Sequence, residues 1–118
     1  SKGWAVLPLR ERTKEPFKDI GAYHATTQQE IIESWWENWP TANVGLATGK
    51  ASGFFVLDID PRSGGDKNLA AFLPLPETLT AKTGGGGEHR FFQYEENIHY
   101  PKQIAGGVEL KANGGYVV

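Results

Sequence analysis

The stretch Phe54-Phe55-Val56-Leu57-Asp58-Ile59-Asp60 constrains this chain more than any other. Four consecutive apolar residues predict a strand, and that strand runs directly into two carboxylates. Side chains alternate across a strand, so Asp58 and Asp60 share one face while Ile59 points to the other. Like charges at that spacing repel unless a cation stands near them or one carboxyl keeps its proton. The fold must bury the first part of this strand and supply something at its end that neutralises the acids.

At 118 residues the chain is expected to form one domain, residues 1–118, with length enough for a core. A hydrophobic content of 39% with 22% charged residues fits a globular protein rather than a disordered one. No apolar run approaches the roughly 20 residues of a membrane span, and no signal-peptide pattern opens the chain. No membrane partner is therefore expected, and the cytoplasm is the default location. The absence of cysteine removes disulfides and thiolate metal sites, leaving oxygen and histidine nitrogen as metal donors. A net charge of −2 does not mark a nucleic-acid binder. The segment holding Arg10, Arg12, Lys14 and Lys18 is nevertheless basic, either a strip for a phosphate backbone or ordinary solvated loop charge. The closing Gly-Gly-Tyr-Val-Val reads as an apolar strand, and an edge of that kind is seldom left bare, so a longer parent protein is expected.

Residues 4–9 predict a first strand, with Pro8 at its end or on a sheet edge. The clearest helix follows Thr27, whose spacing to Glu30 is that of a capping box, and Pro40 ends it. Ile31, Ile32, Trp35, Trp36 and Trp39 fall on one broad face of this helix. A stripe of that period packs a core; its other use is base stacking. Residues 43–49 predict a short strand and a glycine turn, and residues 64–73 a loop entering a short helix closed by Pro74 and Pro76. Residues 78–83 and 89–94 predict a hairpin across four glycines. A loop to about Gly106 leads to a strand over 107–111, and Gly114-Gly115 turn the chain into a last one. Strands joined by glycine turns with few helices between them predict an α+β domain on a mixed or antiparallel sheet.

Asp58 and Asp60 are placed to chelate a divalent cation, and oxygen donors suit Mg²⁺ or Mn²⁺. Alone, an Asp-x-Asp also fits a pair of solvated turn acids. Glu109 adds weight, because it lies among β-formers between glycine turns and can project from a neighbouring strand. The run Gly84, Gly85, Gly86, Gly87 exposes amides to which an anion can come close, and His89 follows at the mouth of the next strand. By themselves these residues equally describe a flexible hairpin and a surface histidine. Together, an anion cradle and an acid cluster are the equipment of phosphoryl or nucleotidyl transfer. A phosphatase whose strand ends in Asp-x-Asp is disfavoured, because Pro61-Arg62 follows where Thr or Val is typical.

The motifs in this order resemble the N-terminal domain of bifunctional DNA primase/polymerases, of the archaeo-eukaryotic primase superfamily. The resemblance rests on "ATTQQEIIESWWENWPTANVGLATG", "FVLDIDPRSGGD", "LPETLTAKTGGGGEHRFF" and "GVELKANGGYVV" and spans nearly the whole chain. It implies a primase-polymerase-like, RRM-like core, here cut short at its C-terminus, from a replication protein of a plasmid, phage or prophage. It also implies Asp58, Asp60 and Glu109 as metal ligands and catalytic residues, and Gly85 to His89 as the nucleotide-binding loop, with Lys111 on substrate phosphate. Glu109 departs from the aspartate more usual in the third motif. The implied partners are single-stranded DNA template, primer, NTP or dNTP and two Mg²⁺ or Mn²⁺ ions. A helicase region in the full-length chain is a further expectation. On this view metal ions, and not the protein, neutralise the strand-end acids. A catalytically inactive nucleotide- or DNA-binding fragment is the alternative that stays open.

Overall fold

A computed structural model describes residues 3–118. The chain is α+β, with two antiparallel sheets and few helices. It divides into two compact units, one running through Gly53 and resuming at Asn113–Val118, the other comprising Phe54–Ala112.

In the first unit, β1 (Val6–Leu9), β2 (Asn43–Ala47) and β8 (Tyr116–Val117) form a sheet in the order β1-β2-β8. Pro8 lies within β1, opposite Val44, and is tolerated because β1 is an edge strand in this sheet. Leu7 and Leu9 are fully buried, and both pack over Gly45, where a Cβ would come within 3.0 Å of Leu7 Cδ2.

Helix α1 (Gln29–Asn38) lies where the apolar period places it, but its cap differs from the expected one. Gln28 occupies the N-cap with no side-chain bond, and the Gln28 amide donates back to Thr26 Oγ1 at 3.1 Å. Thr27 and Glu30 have the spacing of a capping box without forming one. Trp39 ends the helix with φ −132° and ψ 74°, the non-helical geometry that the following Pro40 imposes. The aromatic stripe is half-buried: α1 has no fully buried residue and Ile31 faces solvent. Trp36 Nε1 donates to the Ala42 carbonyl at 3.1 Å, and the Trp39 ring stacks on Phe17 at 4.3 Å.

In the second unit, β3 (Phe54–Ile59), β4 (Thr80–Lys82), β5 (Glu88–Gln93), β6 (Gln103–Ala105) and β7 (Val108–Lys111) make a five-stranded sheet in the order β4-β5-β3-β7-β6. β3 is central, as its continuous apolar run requires. Leu57, Ile59 and Val108 point to one face and pack with Leu69, Leu75, Phe92 and Leu110. Leu69 arrives from α2 (Gly65–Asn68), which continues as a 3₁₀ turn over Leu69–Phe72. β6 was not legible as a strand; it has three residues and joins β7 with an irregular register. Among the described residues no helix is long and apolar enough to cross a membrane.

Candidate active site

The face of β3 opposite the Leu57 cluster carries Phe54, Val56 and Asp58. Val56 is 0% exposed, so this face is buried up to the residue where it turns polar. Asp58 pairs across the sheet with His89 on β5 and with Glu109 on β7. Directly opposed residues of antiparallel strands lie on the same face, with Cβ atoms about 4.5–5.5 Å apart. Register therefore draws His89, Asp58 and Glu109 into one transverse row, although the three are remote in sequence. Lys111, two residues beyond Glu109 on β7, shares that face.

Asp58 and Glu109 are like charges opposite one another, an arrangement that costs a few tenths of a kcal/mol up to about 1. Each has a nitrogen side chain beside it. His89 Nε2 lies 3.4 Å from Asp58 Oδ1, and Lys111 Nζ lies 3.6 Å from Glu109 Oε1. Both distances exceed the roughly 2.7–2.9 Å of a strong charge-assisted hydrogen bond, so these pairs are loose. The chain itself thus places an imidazole beside Asp58 and an ammonium beside Glu109.

Asp60 stands one residue past the end of β3. Its backbone remains extended, at φ −110° and ψ 105°, and it caps the 3₁₀ turn Pro61–Ser63. The Arg62 amide donates to Asp60 Oδ1 at 2.9 Å, and the Ser63 hydroxyl donates to Oδ2 at 3.3 Å. Two glycines hold Asp60 from behind. Its amide donates to the Gly107 carbonyl at 2.8 Å, and the Gly65 amide donates to the Asp60 carbonyl at 2.8 Å. At Gly65 a Cβ would collide with the Gly107 carbonyl oxygen. Gly107 has φ +75° and would direct a Cβ to within 2.5 Å of Gly65 N. These two glycines carry no chemistry, and sequence reasoning did not single them out. The available signal was a glycine pair after the acids (Gly64-Gly65) and another just before the third acid (Gly106-Gly107).

The glycine run forms the β4–β5 turn. The Gly86 amide donates to the Thr83 carbonyl at 3.1 Å and the Thr83 amide to the Gly87 carbonyl at 3.0 Å. The Gly87 amide donates to Thr83 Oγ1 at 3.0 Å. Two of the four glycine amides are therefore committed to the turn itself. Gly87 must be glycine because a Cβ would strike the Ile59 carbonyl; this contact seats the turn against the end of β3. Gly85 lies against the side chain of Arg62, another neighbour the sequence did not disclose.

Just below the row, on the opposite face of β5, Glu88 accepts from Lys82 Nζ at 2.8 Å and from Arg90 Nε at 3.0 Å. The Lys82 bond, then the Arg90 bond, hold its carboxyl below the usual carboxylate range.

Among the described residues, no three His, Asp or Glu side chains stand together as a ready-made metal cage. The donor set nevertheless suits a hard divalent cation in kind. Mg²⁺ is usually held by one or two carboxylates together with water and substrate phosphates, without an all-protein cage. Asp58 and Glu109, with side chains 26% and 39% exposed, form such an accessible pair. Asp60 spends its carboxylate on the adjoining turn.

The family model described as bifunctional DNA primase/polymerase, N-terminal, matches residues 1–118, the whole chain. No curated protein matches it.

Proposed function

The chain belongs to the bifunctional DNA primase/polymerase N-terminal family, a class of divalent-metal-dependent nucleotidyltransferases, and from that premise we propose that it carries out template-directed nucleotidyl transfer at the Asp58 row. Its substrates are then a single-stranded DNA template, a primer 3′ end and an NTP or dNTP. In the reaction the 3′-oxygen bonds to the α-phosphorus, the α–β bridging P–O bond breaks, and pyrophosphate leaves.

The observation that carries the reading is the cross-strand alignment of His89, Asp58 and Glu109. Asp58 and Glu109 would hold Mg²⁺ or Mn²⁺, with Asp60 as the third acid at the edge of the row. The bound cations would supply Lewis-acid charge that favours the 3′-alkoxide and offsets the leaving pyrophosphate. His89, 14% exposed, would donate a hydrogen bond to a phosphate oxygen. Lys111 would offer its ammonium to the same triphosphate. Gly86, where nothing lies within 4 Å of a Cβ, would let phosphate approach the backbone, while Gly85 and Gly87 keep the turn narrow against Arg62 and β3. The arrangement contributes mostly position and charge, which is what phosphoryl chemistry demands.

The test is primer extension on a single-stranded template with Mg²⁺ or Mn²⁺, comparing wild type with Asp58→Ala/Asp60→Ala. Extension is expected from the wild type and a fall of at least about 10²-fold from the variant, the scale of losing a principal electrostatic element. Equal signals from the two proteins would retire the proposal.

A further inference from the structure

Arg62 has no part in the reading above, yet its place is tightly defined. Past the last β3–β5 pair, Ile59 with Glu88, the chain leaves the strand for the 3₁₀ turn Pro61–Ser63, and the Arg62 side chain reaches Gly85. At Gly85 a Cβ would meet Arg62 Cζ and Nη2 at 3.1 Å and Nε at 3.3 Å. An edge-on guanidinium would bring its nitrogens clearly nearer than its central carbon. Near-equal distances mean that the group lies with its flat face over Gly85. The N–H bonds of a guanidinium lie in its plane, so in this pose they are directed along the surface and not into the glycine.

The Arg62 amide donates to Asp60 Oδ1 at 2.9 Å, and its exposed guanidinium lies over the glycine turn. Among the described residues no carboxylate pairs with this guanidinium. A planar, unpaired fork laid over the turn, two residues past Asp60, is suited to bidentate contact with phosphate oxygens.

We infer that Arg62 binds the triphosphate of the incoming nucleotide and that Gly85 is the seat that holds its guanidinium flat. The inference rests on the nucleotidyl-transfer reading and assigns a specificity-determining residue within it: Arg62 would distinguish a triphosphate from a monophosphate.

The experiment measures equilibrium binding of dNTP, dNDP and dNMP by calorimetry, with Ca²⁺ as the divalent cation and no primer. It compares wild type with Arg62→Ala, Arg62→Lys and Gly85→Val, and uses Gly21→Ala as a control outside the site, since nothing lies within 4 Å of a Cβ there. Arg62→Ala is expected to weaken dNTP roughly tenfold to a hundredfold, the scale of a lost charged hydrogen bond. dNMP should change by less than about twofold. Arg62→Lys keeps the charge without the fork and should fall between. Gly85→Val should weaken dNTP in the same direction with the arginine still present, while Gly21→Ala should match wild type. Equal losses for all three nucleotides, or unchanged dNTP affinity in Arg62→Ala with its unfolding midpoint preserved, would overturn the assignment while leaving the catalytic reading intact. A wild type that binds none of the three would overturn both.

Discussion

Gly107→Ala should be among the most damaging single-methyl changes in this chain. Gly107 has φ +75°, in the left-handed region that costs a residue with a Cβ about 1–2 kcal/mol. The added methyl would stand 2.5 Å from Gly65 N, 2.7 Å from Gly65 Cα and 2.8 Å from the Asp60 carbonyl oxygen. All three neighbours are backbone, so no rotamer change relieves them. Relief requires the chain around Asp60 to open, which stretches the bonds from the Asp60 amide to the Gly107 carbonyl and from the Gly65 amide to the Asp60 carbonyl, each 2.8 Å long. A net hydrogen bond is worth about 0.5–1.5 kcal/mol, so the total comes to roughly 3 kcal/mol. That is a large share of the 5–15 kcal/mol available to a typical domain.

The assay is urea unfolding followed by far-UV circular dichroism. Tryptophan fluorescence is the wrong probe, because Trp4, Trp35, Trp36 and Trp39 all belong to the other unit. With a denaturant slope of about 2 kcal/mol/M, the midpoint should fall by roughly 1.5 M. The companion Gly84→Ala meets nothing within 4 Å and is expected to be neutral or up to about 1 kcal/mol stabilising, since alanine narrows the unfolded ensemble. Indistinguishable midpoints for the two variants would refute the claim that backbone proximity behind Asp60 dictates glycine there.

Two further outcomes follow from the second sheet. Leu57→Ala, at a side chain 4% exposed in the β3 core, should cost about 2–5 kcal/mol in urea unfolding, the range for a buried leucine truncation. Glu88→Gln should flatten the acid limb of stability. Lys82 and Arg90 lower the folded pKa of Glu88 beneath its ordinary value of 4.5, so its stabilisation is full above that value and is lost as pH falls through the lowered one. The variant should therefore be less stable than wild type at pH 6–7, with the gap closing below about pH 4. A gap that persists unchanged at pH 3 would contradict the assignment.

What the sequence discloses and what it hides divides along the range of the interactions. Alternation along β3 and the period of α1 are set by neighbours, so the apolar run to Leu57 and the stripe from Ile31 to Trp39 can be read directly. The capping box fails because the helix begins one residue later than the spacing implies, with Gln28 and not Thr27 at the N-cap. Spacing alone does not decide where the first helical residue falls. β6 escapes because Gln103–Ala105 is held by pairing with β7 and not by its own propensity. The glycines behind Asp60 are hidden for a similar reason. Gly65 and Gly107 meet only once β3 and β7 are in register, and a glycine required by a distant backbone looks, in sequence, like a glycine in a turn. Placing Glu109 beside Asp58 also depends on register, which the sequence supported only through Glu109's β-forming neighbours.

The looseness of the acid pairs bears on how such a site works. A carboxylate pair opposed across two strands costs up to about 1 kcal/mol, which a positive charge nearby offsets. Tight salt bridges would supply that charge but would also have to be broken before cation and substrate could enter. At 3.4 Å for His89 with Asp58 and 3.6 Å for Lys111 with Glu109, the pairs are partly solvated and worth little on their own. Giving them up therefore costs little. Under the proposed reaction a nucleotide would offer phosphates to the imidazole and the ammonium, and the two carboxylates would hold divalent cations. Neither the carboxylates nor the ammonium would then be left buried and unpaired, the outcome that costs several kcal/mol. Asp60 follows a different course. Its carboxylate already accepts from the Arg62 amide and the Ser63 hydroxyl, so any cation it meets must share it with the turn.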